Sequence, residues 1–128
     1  MSHSYLKKSQ NTYDSGDVLR SNNMFNSSIH CYYYTCMQAM NHVFHIKENL
    51  TDSQIRDLSK TSESHNNAIN RLVKIIGLSS RNALTVDLMK LKEKRQLADY
   101  REFLLDDDDS IESKGLCDNV MVQLNKIL

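Results

Sequence analysis

The chain contains no proline, no tryptophan and only three glycines in 128 residues. A sequence so poor in both backbone breakers argues against an all-β fold dense in tight turns, a collagen or a proline-rich linker, and leaves long helices as the expectation. Cysteine is scarce too. Cys31, Cys36 and Cys117 are odd in number and lack Cys-x-x-Cys spacing, so they support neither a disulfide framework nor a zinc knuckle and read as free core thiols. No stretch approaches the roughly 18 apolar residues of a membrane span. The opening residues lack the apolar core of a secretory signal, so a cytoplasmic protein is expected. Neither sign of charge is in excess, with 16 Lys+Arg against 16 Asp+Glu. Hydrophobic residues at 40% and a mean hydropathy of −0.54 suit a somewhat polar, folded domain. The length suits one domain over residues 1–128.

The zero net charge is unevenly distributed. Residues 1–64 balance, residues 65–105 carry 8 basic against 4 acidic side chains, and residues 106–128 carry 2 against 6. Lys90, Lys92, Lys94, Arg95 and Arg101 are interleaved with Asp87, Glu93, Asp99 and Glu102, which describes a mixed solvated face better than a phosphate track. Association of the basic segment with the acidic one, in the same chain or a second copy, is a competing use for that charge. The run Asp106-Asp107-Asp108-Asp109 reads as a loop and helix start, because carboxylates are favoured at a helix N-terminus. It lacks the spaced ligands and glycine of a calcium loop. His42 and His45 have no nearby partners to complete four ligands, so no metal and no cofactor are expected.

Helical periodicity covers nearly the whole chain. Leu6, Tyr13 and Leu19 mark a first helix over about 2–21, closed by Asn22-Asn23 as a turn and cap. Phe25, Ile29, Tyr33, Cys36/Met37, Met40 and Phe44 form the clearest stripe and predict a central helix over about 24–46. Thr51-Asp52-Ser53-Gln54 fits a capping box for a short turn. Ile69, Leu72, Val73 and Ile76 mark a helix that Gly77 can end. Leu84, Leu88, Leu91, Arg95 and Ala98 share a face of a helix over about 83–103, so an arginine sits in an apolar stripe. Ile111, Val120, Met121, Leu124 and Leu128 predict a last helix from about Ser110, capped by Asp109 or Ser110. The expected fold is all-α: an antiparallel up-and-down bundle of four main helices plus a short extra helix.

The order of three segments resembles a known family: Tyr5-Leu6-Lys7-Lys8, then Tyr33-Tyr34-Thr35 within the central helix, then Arg95-Gln-Leu-Ala98-Asp99-Tyr100. The pattern is similar to the HEPN (higher eukaryotes and prokaryotes nucleotide-binding) domain, in its small stand-alone bacterial branch. Thr35 departs from the Ala usual there. The resemblance implies an antiparallel helical bundle that dimerises, often encoded beside a minimal nucleotidyltransferase as a toxin–antitoxin or defence pair. Many such relatives are metal-independent ribonucleases, with an arginine followed four to six residues later by a histidine.

That signature is broken here. The positions four, five and six after Arg95 are Asp99, Tyr100 and Arg101, and no histidine follows His65. Asp99, one turn from Arg95, is placed to pair with its guanidinium, whereas Tyr100 is a poor base at neutral pH. The first functional reading is therefore a homodimeric interaction or regulatory module paired with a nucleotidyltransferase. The alternative is a metal-independent RNase toxin whose rearranged site uses Arg95, Asp99, Tyr100 and His65. Nucleotide or RNA binding without cleavage is a third. Successive helical residues diverge by about 100°, so Tyr32, Tyr33 and Tyr34 face different ways and at least one is exposed or at an interface. Tyr33 and Tyr34 are assigned to packing or an interface, with base stacking as the other use.

Overall fold

The computed structural model describes residues 4–58, 60, 64–76, 78–100 and 102–128, with the side chains of 78–82 outside the description. The protein is all-helical over these residues: α1 Tyr5–Ser21, α2 Phe25–Lys47, α3 Asp52–Leu58, α4 Ser64–Ile75, α5 Leu78–Asp99 and α6 Asp107–Ile127. Four helices are long, at 17, 23, 22 and 21 residues, and two are short, at 7 and 12, one more short helix than expected. No helix of the described residues is long and apolar enough to cross a membrane.

Helix α2 is central and touches each of the other five. Its predicted stripe is buried at Ile29, Tyr33, Cys36, Met40 and Phe44, and so are Tyr32, Thr35, Ala39 and Val43, because neighbours cover it on more than one side. Leu84, Leu88, Leu91 and Ala98 of α5 and Ile69 and Leu72 of α4 are buried as predicted, and Ala68 joins them. The flanking helices keep only part of their apolar pattern: Val120 and Leu124 of α6 are buried as expected. Leu6 and Ile111 are exposed; the buried residues of α1 are Ser9 and Gly16, and those of α6 begin with Ser110 and Ser113. Short side chains let helix backbones approach, and each hydroxyl then needs a partner. Ser9 Oγ donates to the Thr35 carbonyl at 2.7 Å, and the Ser28 and Ser110 hydroxyls meet at 2.6 Å.

Gly16 shows how close the α1–α2 approach is. A Cβ there would lie 2.8 Å from Tyr32 Cε1 and 3.2 Å from Cys31 Cβ. The Tyr32 ring is fully buried and its hydroxyl donates to Asp17 at 2.6 Å, so it has little room to yield. Asp17 also pairs with Lys114 at 3.0 Å, tying α1, α2 and α6 together. Gly16→Ala gains about 1 kcal/mol of helix propensity against about 1–3 kcal/mol for overpacking. The expected balance is a net loss, read as a lower urea midpoint; an unchanged or higher midpoint contradicts this packing.

Helix boundaries also differ from the sequence reading. The Thr51 box forms, with Gln54 N–H donating to Thr51 Oγ1 at 3.2 Å and Thr51 N–H to Gln54 Oε1 at 2.8 Å. Asn22-Asn23 is the turn expected, Asn23 taking φ 61°, but the cap of α2 is Met24, without a side-chain bond. α6 starts earlier than expected, capped by Asp106 in a reciprocal box with Asp109, so the acidic run is its first turn. Lys94 reaches Asp109 at 2.7 Å and Glu112 at 3.1 Å. The basic and acidic segments thus meet within one chain. Lys94 and the backbone hold Asp109 below the ordinary carboxylate range. Gly77 and Arg101 lie outside the described residues.

Candidate functional site

Three helices bring five of the six expected site residues together. Arg95 and Asp99 are one turn apart on α5, and Arg95 Nη1 donates to Asp99 Oδ2 at 3.1 Å. Arg95 Nη2 donates to Nδ1 of His65, from the first turn of α4, at 3.4 Å. The guanidinium lies 5.1 Å from the ring centre of Tyr33. Tyr33 in turn meets His65 at 5.3 Å and Tyr34 at 5.4 Å between ring centres. Tyr100 is brought instead to Phe103, at 6.3 Å. Among the described residues no hydrogen bond joins it to the cluster.

The sequence reading missed His30. Its Nδ1 lies 3.2 Å from Asp99 Oδ1, and its ring packs 4.6 Å from that of Tyr34. Asp99 therefore bridges Arg95 and His30 with its two oxygens, and Tyr34 lies between the two imidazoles, 5.7 Å from His65. The signal was spacing: His30 precedes Tyr33 and Tyr34 by three and four residues, which puts all three on one face of α2.

Asn26, one turn earlier on α2, sets the approach of α5. Its amide nitrogen donates to the carbonyls of Ala98 at 2.9 Å and Phe103 at 2.8 Å, while its oxygen accepts from Leu105 N–H at 2.9 Å. These bonds satisfy groups at the end of α5 and its exit and hold Asp99 beside His30.

Burial grades the cluster. Tyr33 is fully buried, as the packing reading expected, and burial pushes its phenol well above the ordinary value. The Tyr33 hydroxyl and Arg95 Nε are buried without a hydrogen-bond partner among the described residues. None of the three tyrosines is freely exposed; Tyr32 joins the core and only Tyr34 reaches the surface, half-buried. The Arg95 side chain is 17% exposed and that of His30 48%, so one is pinned and the other open to a ligand. Two clefts flank the cluster. One of about 250 Å³ is lined by His30 and Asp99, and one of about 520 Å³ by Tyr34 and His65.

Burial, then the cations Arg95 and Lys92, hold the His65 pKa below its ordinary 6.5. The unfolded chain therefore binds this proton at higher pH than the folded chain, and below 6.5 acidification costs stability until the folded group protonates. His42, lowered by burial and by His45, acts in the same direction. His65→Gln is expected to reduce the fall in urea midpoint between about pH 7 and about pH 5. A fall as large as wild type would contradict this.

The chain matches no protein-family profile, no curated protein and no solved structure at a significant level.

Proposed function

We propose that the protein is a metal-independent ribonuclease of HEPN-like organisation acting through the cluster around Arg95. The observation that carries this reading is the convergence of two imidazoles, a carboxylate and a guanidinium from α2, α4 and α5, linked at 3.2, 3.1 and 3.4 Å. Cleavage of RNA through its own 2′-hydroxyl needs a base at that hydroxyl and donors around the phosphate. Asp99 accepts the Nδ1–H of His30 and leaves the Nε2 lone pair for the 2′-hydroxyl proton. The 2′-oxygen attacks phosphorus, the bond to the 5′-oxygen breaks, and the proton returns from His30 to the leaving oxygen. The products are a 2′,3′-cyclic phosphate and a 5′-hydroxyl. Arg95 balances charge on the phosphate. His65, with Nδ1 accepting from Arg95, offers its Nε2–H to the same group.

On this reading the histidine absent downstream of Arg95 is replaced in space by two from other helices. The four long helices suit an antiparallel up-and-down bundle, and a homodimer belongs to the same proposal. The test is incubation of purified protein with single-stranded RNA in excess EDTA. Cleavage leaving 2′,3′-cyclic phosphate ends, lost in Arg95→Ala, supports the assignment. No cleavage, or undiminished cleavage by Arg95→Ala, overturns it.

A second reading keeps the chain as a dimeric regulatory module docked to a nucleotidyltransferase in a toxin–antitoxin or defence pair. It is favoured by the apolar edge directly after Asp99, where Tyr100, Phe103 and Leu104 are 56%, 43% and 94% exposed. A partner covering that edge would lie beside His30 and Asp99. Absence of cleavage together with a stable complex with such a partner decides for the module.

A further inference from the structure

The larger cleft, of about 520 Å³, is within the range of small-ligand pockets and adjoins the cluster through two shared side chains, Tyr34 and His65. Their rings meet edge to face, centres 5.7 Å apart. Gln38 and Asn41 follow Tyr34 by four and seven residues along the same face of α2 and also line the cleft. Gln38 Oε1 is buried and has no hydrogen-bond partner among the described residues. That oxygen is closed to solvent where it lies, so a ligand in the cleft reaches it only when the amide turns outward, and pairing then satisfies an acceptor that otherwise has no donor. The lining also carries charge of both signs, with Lys8 and Arg56 cationic and Asp52 anionic.

We propose that this cleft is a nucleobase subsite for an amino-bearing base, adenine or cytosine, of the RNA strand whose phosphodiester lies at His30 and Arg95; the proposal rests on the ribonuclease reading. The chemistry matches group by group. Tyr34 and His65 offer π faces, which accept any base by stacking. The Gln38 amide selects among bases: its oxygen accepts from an exocyclic amino group and its nitrogen donates to the adjacent ring nitrogen. On their Watson–Crick edges adenine and cytosine present that pair of groups side by side, whereas guanine, although it also bears an amino group, and uracil each present a carbonyl beside an N–H. A base seated there is unstacked from its neighbours, so the substrate is single-stranded.

The test measures binding of 3′-AMP, 3′-CMP, 3′-UMP and the purine riboside 3′-phosphate that lacks the 6-amino group, by NMR titration of the intact protein. We expect 3′-AMP or 3′-CMP to bind about tenfold tighter than 3′-UMP or the deaminated purine, the scale of one well-formed amide–base pair. Shifts should centre on Tyr34, Gln38 and Asn41. Gln38→Leu should erase the difference, and the deaminated purine provides the same comparison without a variant. Equal affinities, no binding, or shifts centred elsewhere overturn the subsite. The two proposals fail separately. RNA cleavage with no adenine or cytosine preference removes the subsite and leaves the nuclease. Selective nucleotide binding by a protein that cleaves no RNA removes the nuclease and leaves the subsite.

Discussion

On the proposed ribonuclease reading, His30→Ala is expected to slow RNA cleavage by about 10²–10⁴-fold, the range for loss of a positioned general base. The side chain is half-exposed, so its removal should leave the urea midpoint nearly unchanged. Rate and stability thus separate at this position. Asp99→Asn should fall between wild type and His30→Ala, because Asp99 acts through His30. An amide in place of the carboxylate, able to donate as well as accept, no longer favours a proton on His30 Nδ1 across the 3.2 Å contact. It also removes the ion pair at 3.1 Å that anchors Arg95. Rescue distinguishes positioning from structure: Asp99→Glu, which keeps a carboxylate, should recover part of the rate, whereas loss of a purely structural Asp99 would lower the urea midpoint along with the rate. Wild-type cleavage by His30→Ala would remove His30 from the mechanism.

Phe44→Ala is expected to cost about 3–5 kcal/mol of folding stability. Phe44 is fully buried in the cluster that also holds Met40, Leu72, Leu88 and Leu124. Truncation removes the transferred apolar area and leaves a cavity, and the two costs add. The backbone nearby is fixed as well, since the Phe44 carbonyl accepts from Glu48 N–H at 3.1 Å and Leu50 N–H at 3.3 Å, which limits collapse around the hole. Domains of this size have total stabilities of about 5–15 kcal/mol, so the loss is a large share. Urea unfolding followed by far-UV circular dichroism reads it directly. A loss under about 1 kcal/mol would mean that the site relaxes freely, contrary to close packing.

Part of the cluster was visible in one dimension. Arg95 in an apolar stripe and Asp99 one turn later imply their ion pair from helical spacing alone. His65 was a candidate only as an isolated histidine, thirty positions from Arg95, and nothing in its neighbourhood fixed the distance of 3.4 Å. His30 carried only its spacing to Tyr33 and Tyr34, because its partner Asp99 lies 69 positions away and is delivered by the bonds of Asn26 to the end of α5. Tyr100, adjacent to Asp99 in sequence, is carried to Phe103 instead, because α5 ends at Asp99 and the chain turns away.

The same division holds for the fold. Lack of proline, scarcity of glycine and the stripes of α2, α4 and α5 determined an all-helical protein and most of its core, because burial of large apolar side chains repeats with the helix period. The buried face of α1 and the first turns of α6 were decided by tertiary structure, whereas Val120 and Leu124 farther along α6 are buried as their periodicity predicts. Ser9, Gly16, Ser110 and Ser113 are buried because small residues allow close approach to α2. A hydropathy pattern rates them as surface, since their contribution is the space they leave rather than the area they bury. The charges followed the same rule: the sequence separated basic from acidic segments, and only the packing of α5 on α6 made Lys94, Asp109 and Glu112 partners within one chain.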